Sequence, residues 1–136
     1  VGKQYTDVHT ANLTQAIVDQ YLRRGLLPDH ITSICRSYKA QLDAMLSELS
    51  TFPEGTTYTR PDGGLFIFVT LPEGIDAKKL LEQAVERHVA YVPGTHFFCD
   101  GGHENTLRLN FSNSSIAQIH EGMSTLREIF AQALAK

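Results

Sequence analysis

The chain has 136 residues, 42% of them hydrophobic, which is enough for one domain with its own core and too few for two ordinary domains. The formal net charge is −3 and the basic residues are scattered, so nucleic acid is not an expected partner. No apolar run approaches the roughly 20 residues that span a bilayer, and no stretch is typical of a signal peptide, so we expect a soluble protein with no membrane partner.

The two cysteines and the first residues bear on the compartment and on the extent of the chain. Cys35 falls in a helical pattern and Cys99 in a loop, which is unfavourable for a disulfide framework and favours the reducing cytoplasm. The chain begins "VGKQYTDVHT", without a methionine. We therefore expect a cytoplasmic protein of which this chain is a fragment.

The first predicted helix covers about residues 13–24. Its apolar residues recur every four positions: Leu13, Ile17 and Tyr21. Asn12 is the expected N-cap with Gln15 as its N3 partner, and Gly25 follows the end of the helix.

A second, longer helix is predicted from Pro28 to about Ser50. Proline suits the first turn of a helix, where its missing N–H is not needed. The apolar residues follow one stripe at helical spacing: Ile31, Ile34, Tyr38, Leu42, Met45 and Leu49.

Two strands are predicted next. "TYTR" and "LFIFVTL" are rich in β-forming residues and are separated by "PDGG", while the similar turns "FPEGT" and "LPEGI" bound the whole segment. This pattern indicates a hairpin or two neighbouring strands.

A third helix is expected after Asp76, which can cap it. The predicted helix carries Leu80, Leu81, Ala84, Val85 and His88. "VAYV" then predicts a short strand that stops at Pro93 and Gly94, and a loop rich in aromatic residues and glycine runs from His96 to Glu104.

The stretch "TLRLNFS", residues 106–112, predicts a strand with two unlike faces. Leu107, Leu109 and Phe111 alternate with Arg108 and Asn110, so a period of two sends the apolar side chains to one face and the polar ones to the other.

A final helix is predicted after this strand. Ser115 and Gln118 have the spacing of a capping box. The apolar stripe consists of Ile119, Met123, Leu126, Ile129 and Phe130.

This order of elements predicts a two-layer α/β (α+β) domain, with a small mixed β-sheet covered on one side by helices. Arg108 and Asn110 should lie on the uncovered face. There Arg108 is either a solvated residue of a wet sheet face or a fixed cation for a carboxylate or phosphate, which its planar fork suits. Gly63 and Gly64 either close a turn or let a ligand approach the backbone.

Other chemistry is weakly supported by the residues. His96, Cys99 and His103 share one loop, but three candidates are one short of a structural zinc site and lack its tight paired spacing, so no metal is expected. There is no Gly-x-Ser-x-Gly elbow, phosphate-binding loop or distinct carboxylate pair. The pattern favours a domain that closes over a ligand held elsewhere.

"RPDGGLFIFVTLPEGIDAKKLLEQAVERHVAYVPGTHFF", followed by "TLRLNFS", resembles the C-terminal part of the fold-type I pyridoxal phosphate aminotransferases of class I and II. The closest likeness is to the 2-aminoadipate, kynurenine and aromatic aminotransferases. Three patterns carry it in order: "P-x-GG-x-F", "VPG-x-x-F" and "LR-x-x-FS". The resemblance implies that residues 1–27 lead from a large domain outside this chain and that residues 28–136 form the small domain.

The resemblance also implies roles for three residues. Arg108 would pair with the α-carboxylate of an amino acid substrate, and Gly63 and Gly64 would lie on the substrate side of the site. Amino acids and 2-oxo acids would be the substrates, the large domain would be the intramolecular partner, and the full-length protein would be a homodimer.

In the family the lysine that forms a Schiff base with pyridoxal 5'-phosphate lies in an upstream "SK" motif. Lys3 is not in such a motif, and the other lysines fall on helix surfaces or at the terminus: Lys39, Lys78, Lys79 and Lys136. We therefore expect no catalytic, cofactor-binding or metal-binding residue in this chain and no transamination by the chain alone.

Two alternative functions stay open at the level of sequence. The first is an aminotransferase-like ligand-sensing domain of a winged-helix transcription regulator, and the second is a free-standing ligand- or metal-binding module. The length of the native reading frame and the residues upstream of Val1 would separate them.

Overall fold

The computed structural model describes residues 2–6 and 11–135. Internal contacts divide the chain into two units, residues 1–37 and 38–136. No helix within the described ranges has the length and apolarity needed to cross a membrane.

The first unit is helical. It contains α1 (Gly2–Thr6), α2 (Asn12–Arg23) and the beginning of α3 (Leu27–Leu49). The prediction of α2 is confirmed, and its end has the expected glycine: Gly25 has a φ of 67°, and its N–H donates to the carbonyl of Leu22 at 2.9 Å.

The predicted N-cap of α2 is wrong by one residue. Ala11 is the N-cap and makes no side-chain cap hydrogen bond, and Asn12 is the first residue of the helix. The cause is the backbone: the Ala11 carbonyl accepts the first helical hydrogen bond, from the N–H of Gln15 at 3.1 Å, which defines the N-cap position.

Helix α2 buries none of its residues, and Leu13 and Ile17 are 74% and 62% exposed. A short helix without tertiary packing frays readily. We therefore expect the amides of residues 13–22 in this 136-residue chain to exchange with solvent much faster than those of residues 106–110, measured by hydrogen–deuterium exchange. Equal protection of the two segments would contradict this.

The second unit contains the sheet and the helices that cover it. Its strands are β1 (Thr57–Tyr58), β2 (Phe66–Thr70), β3 (Val92–Pro93) and β4 (Thr106–Asn110). Besides the rest of α3, its helices are α4 (Ala77–Glu86) and α5 (Ile116–Leu134). The two-layer α/β class and the predicted helices α3, α4 and α5 are confirmed, except that His88, expected in α4, lies beyond its end with a φ of 62°.

The sheet is antiparallel in every pairing, with the strand order β1-β2-β4-β3, and not mixed as the order of elements suggested. Strands β2 and β3 both run antiparallel to β4, so they are parallel to each other and are joined through α4. Because β4 inserts between them, the two parallel strands never pair.

Strand β3 begins later than predicted and includes Pro93, which was expected to end it. A proline is tolerated because β3 lies at the edge of the sheet. Tyr91 was expected in the strand but precedes it. Its side chain is buried, and its hydroxyl donates to the carbonyl of Ala77 at 2.6 Å. Burial raises the pKa of Tyr91.

The core lies between one face of the sheet and the helices. Strands β2 and β4 contribute Ile67, Val69, Leu107 and Leu109, and α5 contributes the five residues of its predicted stripe.

Two predicted caps are confirmed: the Asp76 carboxylate accepts from the N–H groups of Lys78 and Lys79 at 3.0 and 3.1 Å, and Ser115 with Gln118 forms a capping box at the start of α5.

Candidate functional site on the open face of the sheet

Arg108 lies in the middle of β4, and its Cα is paired with Phe68 of β2 on one side and with Val92 of β3 on the other. Leu107 and Leu109 point into the core with 0% and 4% exposure. Because side chains alternate along a strand, Arg108 points to the opposite, uncovered face. The predicted orientation is confirmed.

Two phenylalanine rings contact the guanidinium group. Its Cζ lies 4.1 Å from the ring centroid of Phe66 and 4.7 Å from that of Phe97, within the range of cation–π interactions. Phe66 belongs to β2, and Phe97 ends a 3₁₀ turn, Gly94–Phe97, that follows β3. Neighbouring elements on both sides of β4 therefore hold the cation.

The charge of Arg108 has no acidic partner among the described residues, because none of their ion pairs or hydrogen bonds includes it. Its Nε is shielded from solvent and makes no hydrogen bond. A solvated surface arginine would have a hydrated Nε. A half-buried cation without a counter-ion instead favours a bound anion, which a guanidinium recognises through paired N–H groups.

The 3₁₀ turn is fixed by a close approach of two backbones. A Cβ added to Gly94 would overlap Oγ1 of Thr106 and lie 2.6 Å from its Cβ, so only glycine fits. The Thr106 hydroxyl is buried beneath the turn and donates to the carbonyl of His103 at 2.6 Å. This contact sets where Phe97 lies relative to Arg108.

Phe66 and Phe97 were not identified from the sequence as site residues. A signal was present, because they are the last residues of the "P-x-GG-x-F" and "VPG-x-x-F" patterns. The missing information was that both patterns converge on the guanidinium, which depends on the strand order.

Gly63 and Gly64 lie exposed in the turn that leads into β2. Gly64 has a φ of +86°, which favours glycine, and a Cβ added at either position would meet nothing within 4 Å. The backbone conformation of the turn accounts for a glycine at position 64. The predicted contact of both glycines with a substrate stays a prediction.

The loop that carries His96, Cys99 and His103 is organised by ring stacking. The His103 ring stacks on Phe98 with centroids 3.7 Å apart and an interplanar angle of 15°, and Cys99 is a free, exposed thiol. Across residues 2–6 and 11–135 no three histidine, cysteine or acidic side chains are grouped as metal ligands.

Comparisons with known proteins identify relatives along the whole chain. No protein-family model matches it. It is 43% identical, over 100% of its length, to 33% of the aromatic-amino-acid aminotransferase 1 of Thermococcus litoralis. A more distant relative, 27% identical over 93% of this chain and 26% of its own length, is an uncharacterized HTH-type transcriptional regulator of Bacillus subtilis.

Solved structures of aminotransferases share the fold, and two of them illustrate the similarity. The multiple substrate aminotransferase of Thermococcus profundus matches with a TM-score of 0.91 and 44% identity, covering 98% of this chain and 34% of that one. The second is LysN, the alpha-aminoadipate aminotransferase of Thermus thermophilus, complexed with N-(5'-phosphopyridoxyl)-L-leucine. It matches with a TM-score of 0.90 and 38% identity, covering 98% of this chain and 34% of that one.

The fold is that of a small α/β domain of the aminotransferase type, with Arg108 on the open face of its sheet. In sequence and fold the chain resembles the C-terminal small domain of fold-type I pyridoxal phosphate-dependent aminotransferases. Its sequence is similar to those of aromatic-amino-acid and 2-aminoadipate aminotransferases. The chain spans about a third of the length of these relatives.

The described residues do not fit the role of cofactor holder. The lysines whose side chains the structure describes, Lys39, Lys78 and Lys79, are exposed on α3 and α4, and Lys39 and Lys79 pair with Asp43 and Asp76 of their own helices. No lysine belongs to the four strands or to the 3₁₀ turn that surround Arg108.

Proposed function

We propose that this chain is the substrate-closing C-terminal domain of an aminotransferase that moves an amino group between an amino acid and a 2-oxo acid, and that Arg108 binds the substrate α-carboxylate. The observation that carries the proposal is the half-buried guanidinium, held by two rings and without an acidic partner in the described residues. Its place in the "LR-x-x-FS" pattern supports the same assignment.

The geometry supports a positioning role for Arg108. A paired N–H···O contact fixes both the position and the plane of a carboxylate. Because β4 is paired on both sides, the arginine is anchored on a rigid element, which lowers the entropic cost of orienting the substrate. Pyridoxal 5'-phosphate, when bound to the full-length protein, supplies the electron sink for cleavage of bonds at the substrate Cα.

The test is amino transfer by the full-length protein. Loaded with pyridoxal 5'-phosphate, it is expected to transfer the amino group of L-phenylalanine or L-2-aminoadipate to 2-oxoglutarate, measured by formation of glutamate. The two donors sample the substrate classes in the names of the relatives. Failure with both, and with a panel of the common amino acids, would refute the proposal.

The 136-residue chain alone is expected to be inactive, because no lysine belongs to the strands or to the 3₁₀ turn that surround Arg108. Mixed with pyridoxal 5'-phosphate and reduced with borohydride, it should show no stoichiometric adduct at one lysine by mass spectrometry, whereas the full-length protein treated in parallel should show one. A single specific adduct in this chain, together with turnover, would contradict the expectation.

The domain boundary, the assembly and the compartment follow as proposals. Residues 1–27 would lead from the large domain into a small domain of residues 28–136, which the exposed apolar side chains of α2 support. The full-length protein would be a homodimer. A cytoplasmic location is supported by Cys35 and Cys99, which are both free and exposed.

A ligand-sensing domain of a winged-helix transcription regulator is the second candidate, and the distant HTH-type relative favours it. The residues upstream of Val1 in the native gene discriminate between the two. A large domain with an "SK" lysine that follows a basic helix-turn-helix segment would favour the regulator, and the same domain without that segment would favour the enzyme.

A further inference from the structure

Building on the proposed function, we propose that Phe66 and Phe97 are positioning residues that fix the plane of the Arg108 guanidinium, so that a carboxylate is bound end-on by its two terminal nitrogens. The two rings act through Arg108. They are assigned no step in the chemistry.

The first support is the exposure of the rings. Phe66 and Phe97 are 41% and 45% exposed, although large aromatic side chains gain most from full burial. Their faces lie 4.1 and 4.7 Å from Cζ of Arg108. Within this chain the two rings therefore contact the cation and do not belong to the buried core.

The second support is the environment of the guanidinium nitrogens. Nε is shielded from solvent and has no hydrogen-bond partner, while Nη1 and Nη2 are not among the buried unpaired atoms. A guanidinium can take a carboxylate either through its two terminal nitrogens or through Nε and one terminal nitrogen. The shielded Nε removes the second mode, so the ligand must approach the Nη1–Nη2 end.

The third support is that Phe97 is itself held in place. Its ring makes an edge contact with Phe68, with centroids 6.0 Å apart and an interplanar angle of 79°. Phe68 makes a similar contact with Phe98 at 6.0 Å and 64°. An arginine side chain without such support would have to be ordered upon binding, which weakens binding.

The experiment measures carboxylate binding separately from turnover. In the cofactor-loaded full-length protein, Phe66→Leu and Phe97→Leu are compared with Phe66→Tyr and Phe97→Tyr, which keep an aromatic face. The probes are 3-phenylpropionate and its neutral analogue 3-phenylpropanamide, which contain no amino group to transfer. Dissociation constants are measured by isothermal titration calorimetry, and thermal unfolding verifies that each variant is folded.

Each leucine variant is expected to lower the preference for the carboxylate over the amide by up to about tenfold, the cost of ordering one free arginine side chain upon binding. Each tyrosine variant should retain the preference. The leucine change should have no such effect when Arg108 is alanine. If a leucine variant binds both probes more weakly by the same factor, or if the tyrosine variants lose as much of the preference as the leucine variants, the positioning role is refuted. Two independent sites keep the test decisive if one variant does not fold.

The result also separates this inference from the proposed function. If the unmodified protein shows no preference for the carboxylate, or if Arg108→Ala leaves that preference unchanged, the assignment of Arg108 is wrong and the inference falls with it. If Arg108→Ala abolishes the preference and the leucine variants retain it, only the role of the two rings is refuted.

Discussion

Arg108→Ala in the full-length protein is expected to lower kcat/KM for every amino acid substrate roughly 30-fold to several thousand-fold. This corresponds to a loss of about 2 to 5 kcal/mol of transition-state stabilisation. The change removes a charge-assisted paired contact and leaves the substrate carboxylate without its partner. Because the α-carboxylate is common to all amino acids, the loss should not depend on the substrate side chain. Steady-state kinetics with L-phenylalanine and L-2-aminoadipate measures it.

Two further substitutions sharpen the interpretation. Arg108→Lys should recover only part of the loss, because an ammonium keeps the charge and loses the planar fork. Arg87→Ala is the matched control: Arg87 follows α4 and pairs with Glu128 of α5 at 2.6 Å, in the helical layer, so activity should be unchanged. Activity of Arg108→Ala equal to that of the unmodified protein would reduce Arg108 to an ordinary strand residue.

The orientation of Arg108 could be predicted because it depends on a local rule. Alternation of Leu107, Arg108 and Leu109 follows from the pleat of one strand, and the pattern is the same whatever strands lie beside it. The caps at Asp76 and Ser115 are equally local, since each needs only a side-chain oxygen and N–H groups two or three residues later.

The surroundings of Arg108 could not be predicted, because they depend on which strands are neighbours. Phe66 precedes Arg108 by 42 positions and Phe97 by 11, and both reach it only because β4 inserts between β2 and β3. The same insertion explains why the expectation of a mixed sheet was wrong. Local patterns indicate that β2, α4 and β3 follow one another, but they do not indicate that a later strand separates the two.

Gly94→Ala is expected to lower the free energy of unfolding of the 136-residue chain by about 1 to 3 kcal/mol, the usual cost of forcing extra atoms into a packed site. The new methyl group would overlap Oγ1 of Thr106 and lie 2.9 Å from its carbonyl carbon. A rotation of the threonine side chain cannot relieve the contact with the carbonyl carbon, because the carbonyl carbon belongs to the backbone of β4. The turn must therefore move away from β4, and Phe97 must move with it.

Urea unfolding followed by circular dichroism measures the change, and Gly122→Ala is its matched control. Gly122 lies in α5, where an added Cβ would meet the two methyl groups of Val89 at 3.7 and 3.8 Å, an ordinary contact distance. Since alanine is the better helix former by roughly 1 kcal/mol, Gly122→Ala should leave stability unchanged or raise it. The two alanine variants should therefore differ in the direction of their effect on the unfolding midpoint. If Gly94→Ala instead unfolds at the same urea concentration as the unmodified chain, the close approach of the turn to Thr106 is not rigid, and the fixed position of Phe97 over Arg108 loses its structural basis.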